Sequence, residues 1–328
     1  MDVVAIGDTT EDIFLGLHDA SLQCDIDGAN CKLCLDYADK IAVESKIIVP
    51  AVGNAANHAI GVSRLGVSSG IYTVVGKDDQ GEKAKTILEQ NHVDTSFLQF
   101  DAKHGTNLSI VINFRTERTI LVYHEPREYQ LPDISHTKWV YLTSASGDGV
   151  VALHQQTLDF LNNHPETKLA FNPGTHQIHL GKAELLPILQ KTNLIFVNRE
   201  EAAQVLEIET RDIKTLATGF HDIGIETVVI TDGPEGAYAS DGRHIYQLDI
   251  YPGPVVERTG AGDAFGSGML AALVHGKTLT QAMQWGNANS TSVVQFVGAR
   301  EGLLEQRAVE HMMSEHADIT PKVFASYS

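Results

Sequence analysis

The sequence predicts an α/β domain built on a mostly parallel sheet with helices over both faces. Three observations predict it. Short runs of β-branched and apolar residues recur along the chain, and stretches of helical periodicity alternate with them, the pattern of a sheet buried on both sides. The runs end in Gly, Asn, Asp or Thr, the residues that turn a chain at a strand end. Finally, 328 residues with 43% hydrophobic and 20% charged side chains suffice for a large core.

Taken in order, Val3–Ile6 reads as a first buried strand, stopped by Gly7-Asp8. Residues 16–49 are polar and cysteine-bearing and turn strand-like from 40 to 49. Pro50 to Ala59 open a helix that runs through Ile60, Val62 and Leu65 to Gly66. Val74-Val75-Gly76 closes another strand, and Lys77 to Gly81 lead into the next helix. Between 106 and 123, Leu108, Ile110, Ile112 and Phe114, then 119–122, read as two strands joined by the polar turn Thr116-Glu117-Arg118. Runs at 138–143, 168–172, 193–197 and 227–230 continue the sheet, with helix-like stretches at 151–161, 183–189, 199–206 and 213–220. A last helix begins near Thr280 and closes around 293–297, and residues beyond His316 read as a frayed tail. In such sheets ligands bind beyond the carboxyl ends of the strands, where the polar motifs of this chain fall.

The densest motif runs from Glu257 through Arg258-Thr259-Gly260-Ala261-Gly262-Asp263-Ala264-Phe265-Gly266-Ser267 to Gly268 and opens an apolar helical run. Glycines let backbone N–H groups crowd a guest, and a helix starting near Gly262 would aim its free amides and dipole at a phosphate. Asp263, on the first turn, is a poor ligand for an anion. Its useful role is to accept the proton of a hydroxyl attacking phosphorus. The motif lacks the Gly-Lys-Ser/Thr of a Walker loop and does not follow the first strand as a dinucleotide fingerprint would.

On these residues the chain resembles the PfkB, or ribokinase-like, carbohydrate kinase family, whose signature reads Asp-Thr-x-Gly-Ala-Gly-Asp-x-Phe. The likeness continues in Ala51-Val52-Gly53-Asn54-Ala55-Ala56-Asn57-His58-Ala59, similar to Gly-Gly-x-x-x-Asn-x-Ala. It continues again in Asn198-Arg199-Glu200-Glu201, similar to Asn-x-x-Glu, and in Thr231-Asp232-Gly233-Pro234-Glu235-Gly236, similar to Thr-x-Gly-x-x-Gly. The resemblance implies a ribokinase-like three-layer α/β/α fold over 1–328 as a single domain, with a small β lid from about 14–50 and 104–125. It implies ATP as phosphoryl donor with Mg²⁺, a sugar or nucleoside as acceptor, and a homodimer formed through the lid.

Residue by residue, the resemblance makes Asp263 the general base and gives the amides of Gly260, Ala261 and Gly262 the transferred phosphoryl group. Asp12, Gly53, Asn54 and Asn57 hold the acceptor. A carboxylate fixes two hydroxyls, and an amide side chain offers donor and acceptor together. Asp8 is a second candidate beside Asp12. Asn198 and Glu201 organise magnesium, its waters and the phosphates, Glu201 acting through water. Thr231, Gly233 and Gly236 meet the ATP phosphates and ribose, while Asn287, Ala288 and Asn289 line the adenine pocket with Gly298-Ala299. The chain departs from the family at Glu257-Arg258, where Asp-Thr is usual. Glu257 could still ligate an activating monovalent cation such as K⁺, or Arg258 could supply the charge itself.

Other classes are disfavoured. A net charge of −18 argues against nucleic acid or an anionic membrane as partner. No apolar run reaches the roughly 18 residues of a bilayer span, and the first residues lack a signal peptide's basic start, so a cytoplasmic protein is expected. Cys24, Cys31 and Cys34 are an odd number in a reducing compartment, so a disulfide framework is not expected. With His18 they make a zinc donor set. Cys31 and Cys34, three apart on a strand, would face opposite ways, so free thiols packed in the lid are the preferred reading over Zn²⁺. A catalytically silent sugar or nucleotide sensor on the same fold would have lost Asp263. A sugar-phosphate (phosphofructokinase-type) kinase would want extra cations, for which Lys77, Arg115 and Arg118 are candidates. A nicotinamide dehydrogenase would want glycines after Val3–Ile6. Ribose, fructose, deoxygluconate-type acids and nucleosides all fit the acceptor residues, with ribose or a nucleoside preferred.

Overall fold

The computed structural model describes residues 1–25, 31–115 and 117–327. Thr116 of the expected polar turn, and 26–30 of the cysteine-bearing segment, lie outside the described residues. A nine-stranded sheet forms the centre. From one edge it runs Ser69–Tyr72, Val3–Ile6, Trp139–Leu142, Lys168–Phe171, Leu194–Asn198 and Thr227–Thr231, all parallel. Ala237–Ser240, His244–Leu248 and Lys322–Ser326 then continue it antiparallel.

Alternation along the strands divides the core in two. Val3 and Ala5 join Ile60, Phe265, Met269 and Trp285 on one face, while Val4 and Ile6 join Leu142, Phe171, Leu185 and Phe220 on the other. A strand with a period of two residues, apolar at every position, has to be covered on both sides. The helices Asn54–Arg64, Ala261–Val274 and Leu279–Val293 cover the first face, and Val150–Asn163, Lys182–Leu189, Arg199–Leu206 and Ile213–Ile223 the second. This is the three-layer arrangement the sequence predicts.

A second sheet of four strands is ordered Glu117–Tyr123, Asn107–Phe114, Thr10–Leu17, Val43–Val52. The expected hairpin of 106–123 is present as its antiparallel outer pair. Its core is thin: Phe14, Val49, Val52 and Val111, with Val297 packed on them.

Two expectations are corrected, the free thiols and the frayed tail. Cys24 and Cys31 are joined in a disulfide, and Cys34 is a half-buried free thiol. The antiparallel ribbon of Ser21–Cys24 and Cys31–Cys34 sets Cys24 directly opposite Cys31, a pairing that composition cannot reveal. With two of its donors bonded to each other the zinc set is lost, and among the described residues no cluster of His, Cys, Asp and Glu could cage a metal ion. The tail is not frayed, because Lys322–Ser326 completes the sheet edge against His244–Leu248. Gln306–Glu315, with no helix assigned from the sequence, is a helix that buries Val309.

Candidate active site

Asp263 lies in the first turn of Ala261–Val274, whose N-cap Gly260 has φ 77°. A side chain at Gly260 would pay for that left-handed conformation and would set its Cβ 2.7 Å from the Cα of Ala299. The bend leaves the N–H groups of Gly260, Gly262 and Asp263 with no acceptor among the described residues. The expected trio of Gly260, Ala261 and Gly262 is altered in one member: Ala261 N–H turns back to the carbonyl of Arg258 at 3.3 Å. Nothing lies within 4 Å of where a Cβ of Gly262 would stand, so open space adjoins these amides. A phosphoryl group could settle there, against free N–H donors and the positive end of a 14-residue helix.

Asn57, in the first turn of Asn54–Arg64, donates from Nδ2 to Asp263 Oδ2 at 2.8 Å. The two helices pack together, and so bring together residues 206 apart in the chain. Burial pushes the Asp263 carboxyl up to about 6; the Asn57 hydrogen bond opposes the rise, and the charges of Glu201 and Asp12 add to it. Asp12, in the second sheet, is likewise raised to about 6 by burial, against hydrogen bonds from Ser109 and Thr10, with Glu257 adding its charge. Asp12, Asp263, Glu201 and Glu257 are therefore electrostatic neighbours, although the sequence scatters them over 252 positions (12 to 263, inclusive).

Asn198 caps Arg199–Leu206 reciprocally. Its Oδ1 accepts the Glu201 N–H at 2.8 Å, and Glu201 Oε2 accepts the Asn198 N–H at 2.8 Å. The local capping need and the motif thus coincide. Burial also raises the Glu201 carboxyl, the Asn198 N–H opposes, and Glu200 adds. Thr231 stands beside Asn198 in register on the neighbouring parallel strand, which brings the two motifs to one edge of the site. The turn after Thr231 is closed by Asp232 N–H to Gly236 O at 2.8 Å and Gly236 N–H to Gly233 O at 3.1 Å. Arg199 bridges the motifs through Asp232 at 2.7 Å, a link sequence reasoning missed.

Other predicted residues have structural partners. Gly53 is the N-cap of Asn54–Arg64, and Asn54 Nδ2 approaches Asn172 Oδ1 at 3.5 Å. Asn172 was missed: its Nδ2 donates to Phe196 O at 2.8 Å, and its Oδ1 accepts from Tyr141 and Thr143. A polar residue closing the buried strand Lys168–Phe171 was the available signal. Asp8 accepts from Tyr129 at 2.7 Å and Ser146 at 2.6 Å, so both oxygens serve the fold. Ala288 and Asn289 are fully buried. Asn289 donates to Ala264 O at 2.9 Å and accepts from Leu304 N–H at 2.9 Å, so it locks Leu279–Val293 against Ala261–Val274 instead of facing a ligand. A cavity of about 670 Å³ opens beside Arg199, Gln204, Glu207 and Arg211, and no predicted site residue lines it.

Glu257, 8% exposed, is closely held. Oε1 accepts from Arg118 at 2.9 Å, from Thr259 N–H at 2.7 Å and from the Thr259 hydroxyl at 2.5 Å, and Oε2 accepts from Gly298 N–H at 3.4 Å. Arg258, the alternative cation, is exposed.

An anion-receptive helix start with a carboxylate beside it, on a three-layer α/β frame, is the arrangement that phosphoryl transfer to a hydroxyl calls for. Comparison with known proteins gives the family. The profile of the pfkB family carbohydrate kinases matches residues 33–307. The chain belongs to that family. A nucleoside kinase of Methanocaldococcus jannaschii is 26% identical over 80% of this chain and 85% of its own, and an uncharacterised sugar kinase of Archaeoglobus fulgidus is 28% identical over 74% and 98%. Among solved structures, ribokinase of Arabidopsis thaliana complexed with ribose and ATP superposes with a TM-score of 0.79 at 16% identity, over 95% of this chain and 98% of that one. The fold is ribokinase-like, and the chain is a sugar or nucleoside kinase that uses ATP.

Proposed function

We propose that this kinase phosphorylates a hydroxyl of a neutral sugar or nucleoside, with Asp263 as general base. The observation that carries the reading is the pairing of a buried, raised carboxylate with free amides at Gly260, Gly262 and Asp263 facing open space. Asp12 and Asn57 orient the acceptor, with Gly53 and Asn54 at its margin. Asn57 also holds Asp263 through its Nδ2, so base and acceptor share one positioning group. Asp263 takes the proton of the attacking hydroxyl as the amides receive the charge spreading over the transferred phosphoryl oxygens. Thr231, Gly233 and Gly236 form the nucleotide side, beside Asn198.

The donor set fits Mg²⁺ held mainly by phosphate and water, because the raised carboxylates of half-buried Glu201 and buried Asp263 gain from a cation. When bound, the ion would neutralise phosphate charge near Glu201. The second sheet acts as the lid over the acceptor, and two copies pair through its exposed apolar strand. A cytoplasmic location is part of this reading, with no described helix long and apolar enough to cross a membrane. Ribose or a nucleoside is preferred over a sugar phosphate, because Arg118, one candidate for a second phosphate, is already paired to Glu257.

The test is a coupled assay with MgATP across ribose, fructose, deoxygluconate, fructose 6-phosphate and a nucleoside set. Turnover with one neutral acceptor is expected, reduced by about 10²- to 10⁴-fold in Asp263→Asn with ATP affinity nearly unchanged. Undiminished turnover in that variant would remove Asp263 from its role.

A further inference from the structure

We infer that Arg118, carried at the tip of the lid hairpin, is a built-in replacement for a monovalent cation at the anion-binding loop, and that it positions this loop when the lid closes. The inference rests on the kinase reading above. Its ground is the coordination of Glu257. A nearly buried carboxylate needs a cation or several donors, and one stripped of its partner is costly. Here the donors come from three parts of the chain: Thr259 in the loop itself, Gly298 from the segment after Leu279–Val293, and Arg118 from 139 residues away.

The consequences follow from where these groups sit. Thr259 immediately precedes Gly260, so the carboxylate that grips Thr259 through both its N–H and its hydroxyl sets the course of the chain into the free amides. Gly298 lies against Val49 of the second sheet, where a Cβ would meet Val49 Cγ2 at 3.4 Å. Arg118 is the second residue of the strand Glu117–Tyr123 of that sheet. The second sheet therefore touches the Glu257 node at two places, and only one of them carries charge. Glu257 is also near enough to Asp12 for its charge to be felt there, so the carboxylate that Arg118 holds is coupled to the acceptor end of the site. With Glu257 occupied by a planar guanidinium, a soluble cation such as K⁺ would have to displace a fixed one that brings no translational entropy cost. The donor set at Glu257 therefore does not fit the K⁺ that the resemblance implies.

Removing Arg118 should reopen the position to a dissolved cation. The experiment compares wild type, Arg118→Met, Arg118→Lys and the double variant Arg118→Met with Glu257→Gln in KCl and in tetramethylammonium chloride at equal ionic strength. Two readouts are taken: melting temperature without acceptor, and turnover with the acceptor found in the panel. Wild type is expected to be indifferent to the choice of salt in both. Arg118→Met should lose about tenfold in turnover in tetramethylammonium, regain most of it in K⁺, and melt higher in K⁺ alone. Arg118→Lys should stay indifferent, and Glu257→Gln should remove the K⁺ response from the Arg118→Met background. K⁺-specific stabilisation or activation of wild type overturns the inference, as does an Arg118→Met variant that is unimpaired or equally impaired in both salts. If no acceptor in the panel is turned over, the melting comparison still decides the role of Arg118, and the failure belongs to the kinase reading.

Discussion

The proposed phosphoryl end of the site and the second sheet, proposed as its lid, are built by opposite strategies. Asp263, Asn57 and Glu201 stand on helices whose apolar sides belong to the two large core clusters, so their positions are set by dozens of packed side chains. The lid has a core of Phe14, Val49, Val52 and Val111, and its outer strand Glu117–Tyr123 is exposed at every position. Chemistry that requires placement within fractions of an ångström is fixed by the part that cannot yield. On the proposed reading, closure over the acceptor falls to the part with little burial to lose, which is where low local stability is expected. The Arg118–Glu257 pair joins the two regimes.

The sharpest way to break this comparison is at the two glycines of the loop. Gly260→Ala meets both a left-handed φ and Ala299, so it should damage fold and activity together. Gly262→Ala meets nothing within 4 Å and sits in a helix, where alanine is worth up to about 1 kcal/mol more than glycine. Its melting temperature should hold or rise while kcat/KM falls about 10- to 100-fold, because the methyl fills the space beside the free amides. Full activity in Gly262→Ala would move the phosphoryl site elsewhere.

A smaller effect is expected from pH. Asp263 has to be ionised to accept a proton, and both it and Asp12 are raised to about 6, so kcat/KM should climb through pH 6 and flatten above 7. Below that, the fall should be about tenfold per pH unit for one proton and steeper if both carboxyls matter, the apparent value belonging to the coupled pair. A profile flat from pH 5 to 8 would contradict the assignment.

The same shifts have a stability consequence of opposite sign. Each folded-state value lies above the ordinary 3.8, so the fold favours the protonated carboxyl. That contribution is complete below about 4 and is lost as pH rises through 6. The ligand-free protein should therefore be more stable near pH 5 than near pH 8, so far as these two groups decide. Asp263→Asn should stabilise it at pH 8 by about 1–3 kcal/mol, measured by urea unfolding. A variant that is inactive and less stable would make Asp263 a structural residue first.

What the sequence revealed follows the same division. Gly260 to Asp263 and Asn198 to Glu201 are contiguous, so their spacing alone places each residue on a helix start. The buried strands announced themselves because both faces need apolar residues, as Val3–Ile6 does. Contacts between distant segments left no such trace: Asn57 with Asp263, Arg118 with Glu257, and Asn172 among Tyr141, Thr143 and Asn54 exist only once helices and sheets have packed. Lys322–Ser326 pairs on one side only and is mostly exposed, so it shows little of the buried-strand pattern that would have exposed the tail reading as wrong. Ala288 and Asn289 misled for a related reason. A sequence position on a helix does not say which side of it meets the neighbouring helix, and both proved to face Ala261–Val274 or the core.

The smallest effect on chemistry should come from the lid's outer face. Ile120, Leu121, Val122 and Tyr123 are 42–62% exposed, and Ile47 and Ile48 on another strand of the same sheet are also open. Four consecutive large apolar residues on an exposed strand at a sheet edge are a surface that proteins cover or blunt. A second copy of the same lid would cover it symmetrically. Val122→Lys puts a charge in the middle of that apolar run on a strand exposed at every position, so folding should change by less than about 0.5 kcal/mol. Light scattering should then read half the wild-type mass. Turnover should fall only as far as the unpartnered lid closes less well. A wild type that is already monomeric at micromolar concentration would mean that the thin core of the lid holds its shape alone.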